Sequence, residues 1–174
     1  ECGIDREMSP DETPDGRPGV RCLVFSFSPD MVAGQLKSRV GQCVLTSPGS
    51  ACYNGLDVPE KIKLSTGFRY FGDGWQTSKK LGDRRYWRVP VMDGEFIAED
   101  TVGVTTEAVG GGNLLVLGND RKGLLETCEA AVAAMNKVDD IIMPFPGGIV
   151  RSGSKVGSKY KGVVASTNDA FCPT

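Results

Sequence analysis

A chain of 174 residues with 40% hydrophobic content is long enough for a packed core, in one large domain or two small ones. Its net charge of −2 argues against a nucleic-acid partner, and no apolar run reaches the length of a membrane span. The sequence has no histidine, which removes Ser-His-Asp and Cys-His catalysis and the usual general base. Chemistry must then rest on carboxylates, lysines, tyrosines, cysteines or backbone dipoles. The cysteines (Cys2, Cys22, Cys43, Cys52, Cys128 and Cys172) lie far apart with no CxxC pair. That spacing argues against a metal site or a disulfide scaffold, and with no signal peptide it fits a cytoplasmic protein.

Residues 1–19 are rich in acids, prolines and glycines, and predict an irregular surface segment. Val20 to Phe27 reads as a strand apolar on both faces, hence covered on both sides. Ser28-Pro29-Asp30 starts a helix over 29–43, with Val32, Leu36, Val40 and Cys43 at helical spacing. Residues 46–60 form a loop, with Cys52 and Tyr53 tucked inside. Lys61 to Phe71 alternates as a strand does, with a bulge or bend at Gly67. Gly72-Asp73-Gly74 turns the chain, and Trp75 to Asp83 is polar with Leu81 alone inside. Tyr86 to Met92 is a strand that Pro90 pushes towards a sheet edge or a bulge.

Asp93-Gly94 is the clearest hairpin signal. Glu95 to Val104 follows as a kinked strand, and Asn113 to Leu117 as a short strand apolar on both sides. Asn119-Asp120 caps a helix over 120–137, with Leu124, Cys128, Ala131, Val132 and Met135 on its buried stripe. Ile141 to Met143 is a last strand. The pattern gives helix-plus-antiparallel-sheet units, each short of an element. It fits an α+β fold of two halves better than a doubly wound sheet.

Three glycine-rich or turn-rich loops carry the chemistry: Glu107 to Asn113, Pro144 to Lys159, and Ala165 to Asp169. Between Ile141 and Asn168 there is no acidic residue, while Arg151, Lys155, Lys159 and Lys161 alternate with serines and glycines. Cations, hydroxyls and bare amides together suit carboxylates or phosphates, although a solvated basic loop has the same composition. The glycines at 110–112 let a ligand approach the backbone as an oxyanion site would, or simply make a tight turn. They are no dinucleotide fingerprint, because GxGxxG is absent. Glu95, Glu99, Asp100 and Glu107 are carboxylates near these loops. They can act as acids, or pair with Arg84, Arg85, Arg88 or Lys155 as surface charges. Phe71, Trp75, Phe145 and Tyr160 offer a flat wall for a heterocycle, or core packing. Cys22, Cys43 and Cys128 lie on hydrophobic stripes and read as core.

Several stretches together resemble the formylmethanofuran–tetrahydromethanopterin formyltransferases. They are Pro14 to Val20 (PDGRPGV), Arg39 to Val44 (RVGQCV), Phe71 to Gly74 (FGDG), Gly94 to Asp100 (GEFIAED) and Thr105-Thr106. Gly111 to Asn113, Pro144 to Val150 (PFPGGIV), Ser154 to Lys159 (SKVGSK) and Ala165 to Ala170 (ASTNDA) complete the series. The resemblance implies two ferredoxin-like lobes: a proximal, N-terminal one over residues 1–93 and a distal, C-terminal one over 94–174.

It implies transfer of a formyl group between methanofuran and N5 of tetrahydromethanopterin, in formaldehyde oxidation or methanogenesis. These two would be coenzyme substrates, with no metal and no tightly bound cofactor. The partners implied are a homo-oligomer (tetramer or dimer) and other formyltransferase/hydrolase subunits, since a related bacterial chain is one component of that complex. Nucleic acid and membrane are not among them.

Residues read for substrate binding are Gly111, Gly112, Asn113, Arg151, Lys155, Ser158, Lys159, Asn168 and Asp169. For proton transfer the candidates are Glu99, Asp100 and Glu107. Family members continue past both ends of this sequence, and the glutamate proposed as their acid falls beyond Thr174. This stretch alone is therefore expected to be inactive and to expose apolar surface. Outside the resemblance, a non-catalytic α+β module binding an anionic metabolite, or a structural subunit, has the same residues to work with.

Overall fold

The computed structural model describes residues 1–153 and 155–165. The chain is α+β: β1 (Cys2–Met8), β2 (Gly19–Val24), α1 (Pro29–Arg39), β3 (Ala51–Cys52), β4 (Lys61–Lys63) and α2 (Ser65–Phe68) come first. They are followed by β5 (Thr77–Leu81), β6 (Arg84–Val91), β7 (Gly94–Glu99), β8 (Thr101–Gly103) and α3 (Arg121–Met135). The chain divides into two compact units, Glu1–Leu115 with Val138–Ile142, and Val116–Lys137 with Met143–Thr174.

In the first unit, β2 falls on the strand predicted over Val20–Phe27 and pairs antiparallel with β1, which lies where the sequence predicts an irregular segment. The composition of CGIDREM hides this strand, and long-range bonds hold it. Asp5, at an irregularity between Ile4 and Arg6, accepts from Arg21 Nε at 2.6 Å. Arg21 Nη2 also bonds Asp140 at 2.8 Å, pinning the 138–142 segment here. Val20 and Cys22 are exposed, so β2 is not covered on both faces.

A mixed sheet in the order β3-β7-β6-β5 forms the centre, with β3 parallel to β7 and the other neighbours antiparallel. The hairpin signal is met: Val91 pairs with Gly94 across Met92-Asp93, and the Asp93 carboxylate accepts from the Gly49 amide at 2.8 Å. Pro90 sits in a central strand rather than at an edge. It is tolerated because β5 begins at Thr77, paired with Arg88, so Pro90 lies beyond the reach of β5. Strands β6 and β7, on either side of residue 93, are neighbours in this one sheet.

One face of the sheet carries Val89, Phe96 and Ala98, all buried against Val40, Ile62, Leu64 and Phe68. Phe68 and Phe96 meet edge to face at 5.9 Å between ring centroids. Burying each such ring contributes about 2–3 kcal/mol. Ser28 caps α1 by accepting from the Met31 amide at 3.3 Å, and a π turn over Val40–Val44 ends it.

The alternation over Lys61–Phe71 does not yield one strand. Only β4 is extended; then the chain coils into α2. Leu64 and Phe68 are 1% and 0% exposed, and four-residue spacing puts them on one helical face. Gly67 is the point where α2 touches α1, for a Cβ there would lie 2.7 Å from Lys37 Cβ.

Other expectations yield as well. Asn113–Leu117 and Ile141–Met143 are not strands, and Leu114 and Leu117 are exposed, with no neighbouring strand among the described residues to pair with. Leu81, Cys22 and Cys43 are exposed rather than internal, and the exposure of Phe71, Trp75, Phe145 and Tyr160 goes against the core-packing alternative for these four. In the second unit, Asp120 caps α3 through the Lys122 and Gly123 amides. Its half-buried stripe is Leu124, Cys128, Ala131, Val132 and Met135, as read from the spacing. Gly148 (φ 71) packs 3.1 Å from Val132 Cγ2 and Met143 Sδ, counted from the Cβ it lacks.

Replacing Gly67 by Ala forces α1 and α2 apart and should cost about 1–3 kcal/mol in urea denaturation of the complete gene product. An unchanged midpoint would contradict the close approach.

Candidate functional site

The kink between β7 and β8 brings the two adjacent carboxylates, Glu99 and Asp100, into different surroundings. Glu99 is 2% exposed, and its Oε2 accepts from the Asn54 amide at 3.0 Å. Arg84 Nη1 stands 3.8 Å from the same oxygen. The Asp100 side chain instead accepts from Trp87 Nε1 at 2.7 Å, and its main chain joins Leu64 and Arg85. Glu95 is bonded by Arg88 through both carboxylate oxygens. The reading of these acids as surface charges paired with arginines therefore holds for Glu95 with Arg88, whereas Glu99, though near Arg84, is buried.

Asn54, in a stretch that the sequence shows only as a loop, is the residue missed. Its Oδ1 accepts from the Gly103 amide at 2.7 Å and the Leu56 amide at 3.2 Å. Gly103 has no room for a side chain: a Cβ would lie 2.0 Å from the Leu56 carbonyl oxygen. The Asn54-Gly55 turn signal was the one available hint. Just before it, the Tyr53 hydroxyl donates to Asp15 at 3.0 Å, and burial pushes its pKa up to about 12. Burial likewise pushes the Cys52 thiol up to about 11, with the nearby Cys22 and Glu99 charges adding to it.

Beyond β8 the chain enters the glycine loop. Glu107 is exposed, and its amide donates to Thr105 Oγ1 at 3.0 Å. Gly111, Gly112 and Asn113 are exposed, and a Cβ at Gly110, Gly111 or Gly112 would meet nothing within 4 Å. None of the three has a left-handed φ. Neither packing nor backbone conformation within the described residues requires glycine there.

In the second unit, Arg151, Lys155, Ser158 and Lys159 are exposed in an irregular segment, where Ser158 Oγ accepts from the Tyr160 amide at 3.2 Å. It is introduced by the Pro146–Gly148 turn, closed by the Gly148 amide on the Phe145 carbonyl at 2.8 Å. Asn168 and Asp169 lie outside the described residues. The candidates thus fall into two groups: Glu99, Asp100, Glu107 and Gly111–Asn113 in the first unit, and the cations in the second. Among the described residues no trio of Cys, Asp or Glu is placed to hold a metal ion, and no helix is long and apolar enough to cross a membrane.

Comparison with known proteins places this geometry in context. The family model for formylmethanofuran-tetrahydromethanopterin formyltransferase matches residues 1–91. A second model, described as the proximal lobe of that family, matches residues 94–174. The term proximal thus goes with the second stretch, where the resemblance read from sequence gives it to the first.

All of the chain aligns, at 59% identity, with 58% of a protein of Methylorubrum extorquens that is named as a subunit of the formyltransferase/hydrolase complex. It aligns equally, at 59% identity, with 58% of the formylmethanofuran–tetrahydromethanopterin formyltransferase of Methylococcus capsulatus. The chain therefore spans 58% of the length of these relatives.

Among solved structures, it resembles a chain of the formyltransferase/hydrolase complex of Methylorubrum extorquens, crystallised with methylofuran. The TM-score is 0.90 and the identity 59%, over 99% of this chain and 58% of that one. The formyltransferase of Methanosarcina barkeri gives a TM-score of 0.82 at 41% identity, over 99% and 59% respectively.

The thiol environments make a direct check. Iodoacetamide at pH 8 should label exposed Cys43 first, and label Cys52 at least tenfold more slowly, by peptide mass spectrometry. Equal labelling would contradict the burial of Cys52.

Proposed function

This chain belongs to the formylmethanofuran-tetrahydromethanopterin formyltransferase family, and on that premise we propose that its complete gene product moves a formyl group between methanofuran and N5 of tetrahydromethanopterin. The observation that carries the proposal is 59% identity, over the whole chain, to a protein of that name. In this reading the N5 lone pair attacks the formyl carbon, and a tetrahedral intermediate forms with charge on its oxygen. The bond from carbon to the methanofuran nitrogen then breaks, and the proton lost from N5 ends on the departing amine. The reaction is redox-neutral, so the two coenzymes serve as substrates and no resident cofactor is assigned.

Such chemistry asks for alignment, an oxyanion holder and a proton donor. Gly111, Gly112 and Asn113 are assigned to close backbone contact with a coenzyme. Support comes from the open space around these glycines, which nothing in the described chain accounts for. Arg151, Lys155, Ser158 and Lys159, with Asn168 and Asp169, are assigned to the anionic groups of the coenzymes. Asp100 and Glu107 remain candidates for proton transfer. Glu99 is set apart by its burial.

The lobes are proposed to meet near residue 93. Further subunits of a formyltransferase/hydrolase complex, or copies of the same chain as a dimer or tetramer, are the proposed partners. The cytoplasm is the proposed compartment, in keeping with the free thiols at Cys2, Cys22, Cys43, Cys52 and Cys128.

In the complete gene product, replacing both Lys155 and Lys159 by Ala should raise a coenzyme KM roughly tenfold with kcat little changed. Gly112→Val should cut kcat/KM at least as much. Formyl transfer unaffected by both changes would overturn the site assignment, and a gene product inactive with both coenzymes would overturn the function.

A further inference from the structure

Strand β8 has a donor problem. Its pairing with β4 uses one edge, where Lys61 faces Gly103 and the Val104 amide donates to the Glu60 carbonyl at 3.0 Å. The Gly103 amide finds its acceptor in a side chain instead: Asn54 Oδ1, at 2.7 Å. One amide oxygen thus does the work of a neighbouring strand, bonding Gly103 and Leu56 together. Asn54 is itself held by its main chain, which donates to Glu99 Oε2 at 3.0 Å. The result is a relay of two bonds, from a carboxylate buried at the end of β7, through Asn54, to the last residue of β8.

We propose that Asn54 is a positioning residue of the formyl-transfer site, and that Glu99 holds Asn54 rather than donating a proton. The inference rests on the function proposed above. Glu99 is 2% exposed and already engaged by the Asn54 amide and Arg84, so it offers no surface to a coenzyme. What it fixes is the departure of the chain from β8 into the Thr105 turn and the loop of Gly110 to Asn113. That loop has no regular structure of its own, so its placement depends on the point where it is anchored. The anchor admits little slack, because the Leu56 carbonyl oxygen fills the place of a Gly103 Cβ.

The test uses the complete gene product assayed with formylmethanofuran and tetrahydromethanopterin. Asn54→Ala should raise the KM of one coenzyme about tenfold and leave the other within about twofold. A mere loss of folded enzyme would lower apparent kcat and leave both KM values alone. Glu99→Ala should reproduce the Asn54→Ala pattern. Glu99→Gln, which keeps an acceptor for the Asn54 amide, should restore it to within about threefold of wild type.

Hydrogen exchange gives a readout independent of activity: the Gly103 amide should exchange at least tenfold faster in Asn54→Ala, and at the wild-type rate in Glu99→Gln. Where Asn54→Ala does not fold, Asn54→Asp gives the converse test: it keeps an acceptor for Gly103, so KM and Gly103 exchange should stay within about threefold of wild type, and a tenfold change in either would overturn the inference. Unchanged KM values and Gly103 exchange in Asn54→Ala would overturn the inference. So would a loss of kcat in Glu99→Gln at unchanged KM, which would make Glu99 the acid. An inactive wild type with the exchange pattern intact would instead overturn the function and leave the anchor standing.

Discussion

Glu99 sits at the end of a central strand with 2% of its surface exposed. A carboxyl group in such a place costs free energy unless it is hydrogen-bonded. The Asn54 main-chain amide donates to its Oε2, and the Arg84 guanidinium stands 3.8 Å from the same oxygen. Bringing Asn54 there requires the preceding residues to run beside β7, which they do as the parallel strand β3. It also leaves the Asn54 side chain over β8, closing the edge of the small β4–β8 sheet. The same turn, over residues 54–56, places the Leu56 carbonyl where a Gly103 side chain would be, so only glycine fits there.

What was legible in the sequence was local. Ser28 and Asp120 cap their helices as their residue types require, and the hairpin signalled by Asp93-Gly94 forms, turning at Met92-Asp93 with Gly94 opening β7. The stripe of α3 was legible because helical spacing alone selects Leu124, Cys128, Ala131, Val132 and Met135. What was illegible depends on distant partners. Strand β1 is polar and exists through pairing with β2 and the Asp5–Arg21 bonds. Helix α2 imitates a strand because Ile62 and Leu64 satisfy period two while Leu64 and Phe68 satisfy a helical turn. The opposite error occurs at Asn113–Leu117, where apolar residues alone suggest a strand that has no pairing neighbour among the described residues.

The same division applies to the site. Composition exposes the glycine loop and the run of cations, since both are contiguous. Asn54 and Glu99 are separated by more than forty residues of chain and meet only through folding. Neither residue type at its own position announces a shared role. A carboxylate near a glycine loop reads as an acid, yet burial and a bonded amide give it a holding role. In the proposed chemistry, backbone amides and cations align two coenzymes, and rigidity matters more than an unusual functional group.

Whether the formyl group passes between the two amines is read most directly by following its carbon. Methanofuran carrying a 13C-labelled formyl group, mixed with tetrahydromethanopterin and the complete gene product, should lose its amide 13C signal as a matching N5-formyl signal grows. A label that stays on methanofuran, or emerges only as formate, would contradict the proposed transfer.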